Sequence, residues 1–293
     1  MSAASVGVVG LGVMGSRFAG RLLDAGFPVL GTNRSQEKGA ALLERGLTWC
    51  DTPREVAAAA EVVLSSVTDD AALKAVVTGA DGILAGLRPA TAYVDMSTVS
   101  PHLSRELAAR VGAVGAEMLD APVSGSVPQA ESGSLTIMVG GSGPAFNRVE
   151  PILAHLGSVV RIGENGQGLL LKLAVNISVA AQMVAFGEGV LLAERGGIDR
   201  NAAVEVMSMS AIGSPLLRGR APLIVEPSNT AWFDIHMLEK DLTLALDTAQ
   251  RLRVLLPATA VVSELFDKAQ AIGYGHRDIA SIPAALAELA GRR

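Results

Sequence analysis

The sequence predicts an α/β protein, with a doubly wound parallel sheet in its first half and an all-helical second half. Three observations predict it. Short apolar runs alternate with helix-like stretches up to about residue 163. A glycine-rich turn separates the first apolar run from the first helical stretch. From residue 166 to 195 the alternation stops, and the chain runs on without a proline.

Taken in order, residues 5–9 (SVGVV) read as the first strand, 15–25 as a helix and 28–32 as the second strand. Helical patterns at 35–45, 53–60, 70–77 and 101–111 alternate with apolar runs at 62–67 and 92–96. Further strands fall at 116–120, 135–139 and 159–162, with a helix at 144–155. This alternation implies right-handed βαβ units, and so a parallel sheet with helices on both faces. A boundary near residue 163 divides the chain into domains 1–163 and 164–293. The stretch 166–195 reads as one helix of about 45 Å at 1.5 Å per residue, long enough to run through a core or between domains. Gly196-Gly197 ends it, and Asp199 is the expected N-cap of the next helix. Helices are expected at 200–209, 233–252, 257–272 and 282–289, with no strand among them.

Composition narrows the chemistry. The 293 residues are 49% hydrophobic and 18% charged, ample for a buried core and unlike a disordered chain. A net charge of −5 offers no electrostatic footprint for nucleic acid. One cysteine, Cys50, excludes an internal disulfide and a cysteine-built metal site. The four histidines (His102, His155, His236, His276) lack ligand spacing, so no metal is expected. No basic leader precedes the first strand. The apolar stretch 169–186 is interrupted by Lys172, Asn176, Ser178 and Gln182, which favours a buried helix over a membrane span. The expectation is a cytoplasmic globular protein whose chemistry uses Ser, Asn, Lys, Asp or a bound cofactor.

Gly10-Leu11-Gly12-Val13-Met14-Gly15 follows a strand and opens a helix, the Rossmann-type context for a dinucleotide. Gly10 permits the tight turn, Gly12 lets the backbone approach a pyrophosphate, and Gly15 lets helix and strand pack closely. The free N–H groups and partial positive charge of the helix start favour phosphate. After the second strand, where an NAD site has a carboxylate for the ribose, this chain has Thr32-Asn33-Arg34-Ser35. Arg34 can pair with a 2′-phosphate, and Asn33 and Ser35 can add hydrogen bonds, so NADP(H) is expected over NAD(H). Val67, in the loop Ser65-Ser66-Val67-Thr68-Asp69 after the fourth strand, and Thr98, in Ser97-Thr98 after the fifth, are further candidate cofactor contacts, although helix capping explains such loop residues equally well.

Two motifs remain. Asp120-Ala121-Pro122-Val123-Ser124-Gly125-Ser126 leaves a strand end, with a hydroxyl at Ser124 and close backbone approach at Gly125 suited to a small carboxylate. In Gly166-Gln167-Gly168-Leu169-Leu170-Leu171-Lys172-Leu173-Ala174-Val175-Asn176, Lys172 and Asn176 are four apart and share a helix face. Lys172 is the only charge between Gly168 and Gly187. A desolvated ammonium needs a partner or a task, and burial lowers a lysine's pKa toward general acid/base work.

With the late FDIHMLEKDLTLAL segment, these motifs resemble the β-hydroxyacid dehydrogenases, a family that includes 3-hydroxyisobutyrate dehydrogenases, tartronate semialdehyde reductases and glyoxylate/succinic semialdehyde reductases. The resemblance spans nearly the whole chain. It implies Lys172 as the catalytic acid/base, Asn176 as a substrate contact and Ser124-Gly125 as the binder of the substrate carboxylate. It places Lys240 at the active site near the nicotinamide, with Asp241 beside it in sequence. It also implies a homodimer or homotetramer, and the Asn33-Arg34-Ser35 segment looks like the NADP-preferring members. Two other readings stay open, an NADPH-dependent imine reductase of related fold and a non-catalytic NADP-binding sensor. The Lys172/Asn176 pair counts against both. Residues 211–215 and 232–234 are expected to line the pocket, with Arg218 or Arg220 in reach of it.

Overall fold

The computed structural model describes residues 4–291, and the chain divides into two compact units between Lys172 and Leu173. The N-terminal unit runs β1 (Val6–Val9), α1 (Gly15–Asp24), β2 (Val29–Thr32), a 3-10 turn (Gln36–Gly39) into α2 (Ala40–Glu44), β3 (Thr48–Trp49), α3 (Pro53–Ala59) and β4 (Val62–Ser65). It continues with α4 (Asp70–Thr78), α5 (Ile83–Gly86), β5 (Ala92–Asp95), α6 (Pro101–Ala113), β6 (Glu117–Asp120), β7 (Val123–Ser124), α7 (Val127–Ser132), β8 (Leu135–Gly140), α8 (Gly143–Leu153) and β9 (Gly157–Gly163). The strands form one sheet in the order β3-β2-β1-β4-β5-β6-β8-β7, with β9 beside β8. Strands β1 to β6 are parallel, while β8 is antiparallel to β6 and β7 and parallel to β9.

Alternate residues of each central strand feed separate cores. Val6, Val8, Val62, Leu64, Ala92 and Val94 pack with α1 and α8 through Phe18, Leu22, Val149 and Leu153. Val9, Val63 and Tyr93 pack with α3, α4 and α6 through Val56, Leu73 and Leu107. Helices therefore cover both faces, which is why these strands read as continuous apolar runs. The order reverses at β1 and β4, and ligands of such sheets bind outside the carboxyl ends at that point.

The C-terminal unit takes the rest of α9 (Gln167–Arg195) and adds α10 (Arg200–Met209), α11 (Pro215–Val225), α12 (Ile235–Leu252), α13 (Pro257–Ala269), a π turn (Gln270–Tyr274), a 3-10 turn (Ile279–Ser281) and α14 (Ile282–Gly291). Among the described residues its sole extended pairing is the bridge between Asp234 and Asp278. Ala180, Met183, Val184 and Val190 of α9 share a core with Leu238, Leu242 and Phe266. By length and composition α9 is apolar enough to cross a membrane, and 44% of its most apolar window is buried. Gly197, at φ +88°, ends the helix, and Asp199 caps α10 by accepting from the Ala202 N–H at 3.1 Å.

The structure departs from the sequence expectation in several places. The first turn of α9, beyond the boundary expected near residue 163, packs with the N-terminal unit, since Leu169 belongs to its core. The helix expected at 35–45 is interrupted at Gly39, which is buried against the Trp49 ring. The sheet is parallel only through β6, since β8 returns antiparallel. Residues 211–215 lead into a helix, α11, capped by Ser214 with Pro215 in its first turn.

Candidate active site

The glycine loop has the geometry that dinucleotide binding requires. Gly10 sits at φ +93°, and a side chain there would strike the Ser66 carbonyl. A Cβ on Gly15 would collide with the Gly10 carbonyl oxygen, so helix and loop close on each other only through glycine. At Gly12 nothing lies within 4 Å of where a Cβ would be, leaving open space over the backbone. Helix α1 begins without a side-chain cap and without an acid in its first turn, so its N–H groups are left for an anion. Leu11 is buried, whereas Val13 is exposed and Met14 half-buried.

The loop is tied to the end of β2. Asn33 Oδ1 accepts the Leu11 N–H at 3.1 Å, and Asn33 Nδ2 donates to the Ser35 carbonyl at 3.0 Å. The sequence offered Asn33 as a phosphate contact, yet both polar atoms of its amide serve the loop itself. Arg34 is exposed and has no hydrogen bond or ion pair among the described residues. Ser35 precedes the 3-10 turn.

Val67 is positioned by a buried network. Ser97 Oγ accepts the Val67 N–H at 3.0 Å and donates to Asp95 Oδ1 at 2.7 Å. Ser65 Oγ donates to the same oxygen at 2.7 Å and bonds the Tyr93 hydroxyl at 2.8 Å. Burial raises the Asp95 carboxyl above its ordinary pKa, and it also pushes the Tyr93 hydroxyl up.

Ser124 ends β7, half-buried, and its hydroxyl bonds no described residue. Gly125, at φ +120°, has no room for a Cβ against Leu135 and Gln129. The turn behind it is fixed by a capping box between Ser126 and Gln129. At the head of the same motif, Asp120 Oδ1 accepts the Gly166 N–H at 2.6 Å and Oδ2 the Leu169 N–H at 2.9 Å. Burial lifts its pKa from 3.8 to about 6, although both N–H donors pull it down.

Lys172 and Asn176 lie four residues apart on α9, 8% and 1% exposed. In the C-terminal unit Asn176 Nδ2 donates to Asp241 Oδ2 at 2.5 Å, and Lys240 Nζ pairs with Asp241 Oδ1 at 2.9 Å. A single buried carboxylate thus orients two predicted site residues. Arg220 is committed elsewhere: it is buried and ion-paired with Asp278, which also accepts the Trp232 and Phe233 N–H groups. That pair fixes the 232–234 segment and removes Arg220 as a free substrate contact. No cluster of three or more metal-type ligands occurs among the described residues. Asp95 was not singled out from sequence, and Asp120 and Asp241 were named there without these roles, because their partners are distant in the chain. The available hint was an acid at a strand end or directly beside a functional lysine.

A dinucleotide loop at the switch point of a doubly wound sheet, followed by a helical unit with a buried lysine on its first helix, defines a nicotinamide-dependent oxidoreductase. Residues 5–163 match a family model described as the NAD binding domain of 6-phosphogluconate dehydrogenase. Residues 166–286 match one described as NAD-binding of NADP-dependent 3-hydroxyisobutyrate dehydrogenase. The chain is 33% identical to glyoxylate/succinic semialdehyde reductase 2, chloroplastic, of Arabidopsis thaliana, over 96% of this chain and 79% of that one. A 3-hydroxyisobutyrate dehydrogenase structure from Salmonella typhimurium superposes with a TM-score of 0.89 at 31% identity, covering 96% of this chain and 99% of that one. An imine reductase structure from a Pseudomonas species matches less closely, with a TM-score of 0.65 at 25% identity over 97% and 100% of the two chains. The chain belongs to the β-hydroxyacid dehydrogenase family and is an NAD(P)-dependent hydroxyacid dehydrogenase or semialdehyde reductase.

Proposed function

We propose that the protein moves a hydride between NADP(H) and a small β-hydroxy acid or semialdehyde acid, with Lys172 as the general acid/base. The observation that carries the reading is Lys172 itself, a lysine only 8% exposed, one turn from an asparagine whose amide Asp241 orients. Gly10 to Gly15 and the uncapped start of α1 would hold the cofactor's pyrophosphate, and Arg34 its 2′-phosphate. The cofactor, when bound, supplies the hydride chemistry. In reduction Lys172 donates its proton to the developing alkoxide, and in oxidation neutral Lys172 takes the proton from the hydroxyl. Asn176 hydrogen-bonds the reacting end of the substrate. The Ser124 hydroxyl and the Gly125 N–H hold the carboxylate. Lys240, paired with Asp241, is a further lysine assigned to the nicotinamide end of the reaction. Val67 and Thr98 frame the cofactor.

The same reading makes the protein a homodimer or homotetramer that binds neither nucleic acid nor membrane. Exposed apolar side chains support association: Leu192, Val206 and Met209 are 77%, 66% and 76% exposed. Light scattering of the purified protein tests it, and a monomer at micromolar concentration would refute it.

The activity test is loss of NADPH absorbance with methylmalonate semialdehyde, succinic semialdehyde, glyoxylate and tartronate semialdehyde, with NADH in parallel. Turnover of one acid with NADPH is the expected result. Turnover of a cyclic imine and of none of the acids would overturn the reading in favour of an imine reductase.

A further inference from the structure

We propose that Asp120 is the positioning residue that holds the Lys172 helix in register with the substrate loop, an inference that rests on the acid/base role assigned to Lys172. Asp120 is the last residue of β6, and the chain reaches Ser124 four residues later. Its side chain points the other way in sequence. One oxygen accepts the N–H of Gly166 and the other that of Leu169, partners 46 and 49 residues away. Leu169 precedes Lys172 by three residues, so helical rise sets the lysine about 4.5 Å farther along the axis.

Several other helices here are capped locally. Thr52, Asp69, Asp199 and Asp234 each accept an N–H three residues ahead of themselves. Helix α9 has glycine at the corresponding place, Gly166, and takes its cap from a neighbouring strand instead. Space is kept for this. A Cβ on Gly140 would lie 2.6 Å from Asp120 Oδ1, and one on Gly168 2.9 Å from Oδ2. A second tie to β6 reinforces it, since Asn165 Nδ2 donates to the Met118 carbonyl at 2.7 Å. A carboxylate at a helix N-terminus is favoured by the helix charge, and bonds to an ionised acceptor are roughly twice as strong as neutral ones. The substrate-loop end of β6 and the start of the lysine helix are thereby one piece. Proton transfer demands that precision, because a misplacement of about 1 Å costs on the order of 100-fold in rate.

The test is Asp120→Asn, which preserves shape but turns an NH2 toward a backbone N–H. Expected are a kcat lower by about 100-fold, with KM and the NADPH dissociation constant within about threefold of wild type. Hydrogen exchange of the Gly166 and Leu169 amides should speed up while β1 and β4 stay protected. A folded variant that keeps kcat, or one that loses kcat only in proportion to NADPH affinity, would overturn the inference. If Asp120→Asn does not fold, Asp120→Ser, smaller and with one acceptor, carries the same comparison. Absence of turnover by the wild type would sink the reaction assignment, whereas an active wild type with an unaffected variant sinks this inference alone.

Discussion

Replacing Asp120 by asparagine should remove a specific pH dependence of stability. Burial lifts the carboxyl from 3.8 to about 6 in the native state. The native state therefore holds this proton more tightly than the unfolded chain does. Between those two values folding takes up a proton, so stability falls as pH rises through the window and levels off above it. At 1.36 kcal/mol per pKa unit the loss is about 3 kcal/mol. The cost is that of ionising a desolvated carboxylate, with Asp95 on the neighbouring strand adding repulsion. Asparagine cannot titrate, so subtracting the variant's curve from the wild type's isolates the effect. The two tryptophans divide between the two units, Trp49 and Trp232. A Trp232→Phe background leaves Trp49 to report unfolding of the N-terminal unit in urea. From about pH 3 to about pH 7 the wild type should lose about 3 kcal/mol relative to Asp120→Asn. Parallel curves would refute the desolvation account. The opposite slope would mean that the two backbone N–H groups outweigh burial.

Three further outcomes follow from the site. Asn33→Ala should weaken NADPH and NADH alike, by about tenfold, because the Leu11 N–H loses its acceptor, whereas Arg34→Asp should weaken NADPH alone. Titration of both nucleotides separates them, and an Arg34→Asp protein with unchanged preference would end the 2′-phosphate assignment. Lys172→Met should lower kcat by about 100-fold or more with NADPH binding intact; retention of a few per cent of turnover or more would remove it as the acid/base. Arg220→Met should destabilise the C-terminal unit by about 3–5 kcal/mol, since it strands the buried Asp278 carboxylate. Urea unfolding followed at Trp232 in a Trp49→Phe background measures this, and a loss below about 1 kcal/mol would show the pair to be dispensable.

What could be read from sequence had a local cause. Strands β1, β4 and β5 are short apolar runs between helical stretches, and each is buried on both faces. Helix α9 ends at Gly196-Gly197 and α10 begins at its Asp199 cap, as the sequence places them. Strands β3 and β7 have two residues each, too few for any periodicity to register. Helix α11 contains Pro222 and Gly219 and follows Gly213, a composition that reads as loop; the Ser214 cap and the buried Leu217 and Ile224 make it a helix nonetheless. Arg220 looked available because its partner, Asp278, lies 58 residues away.

The candidate site divides along the same line. The glycines, Arg34, Ser124, Lys172 and Asn176 were assigned candidate roles because their type and spacing suit a dinucleotide, a carboxylate and a proton transfer. Asp95, Asp120 and Asp241 were not, because each answers to protein groups brought near only by the fold. All three are buried carboxylates, and each holds a residue assigned to a ligand: Asp95 through Ser97 the Val67 N–H, Asp120 the helix of Lys172, Asp241 both Asn176 and Lys240. Apolar residues in their places would avoid desolvation and often stabilise a fold. An apolar side chain has no acceptor, however, and would leave the N–H groups and the amide it replaced a partner for unoriented. Stability alone therefore does not account for these acids. Their shared placement, behind a group with a candidate ligand role, is what a reaction dependent on sub-ångström placement would require.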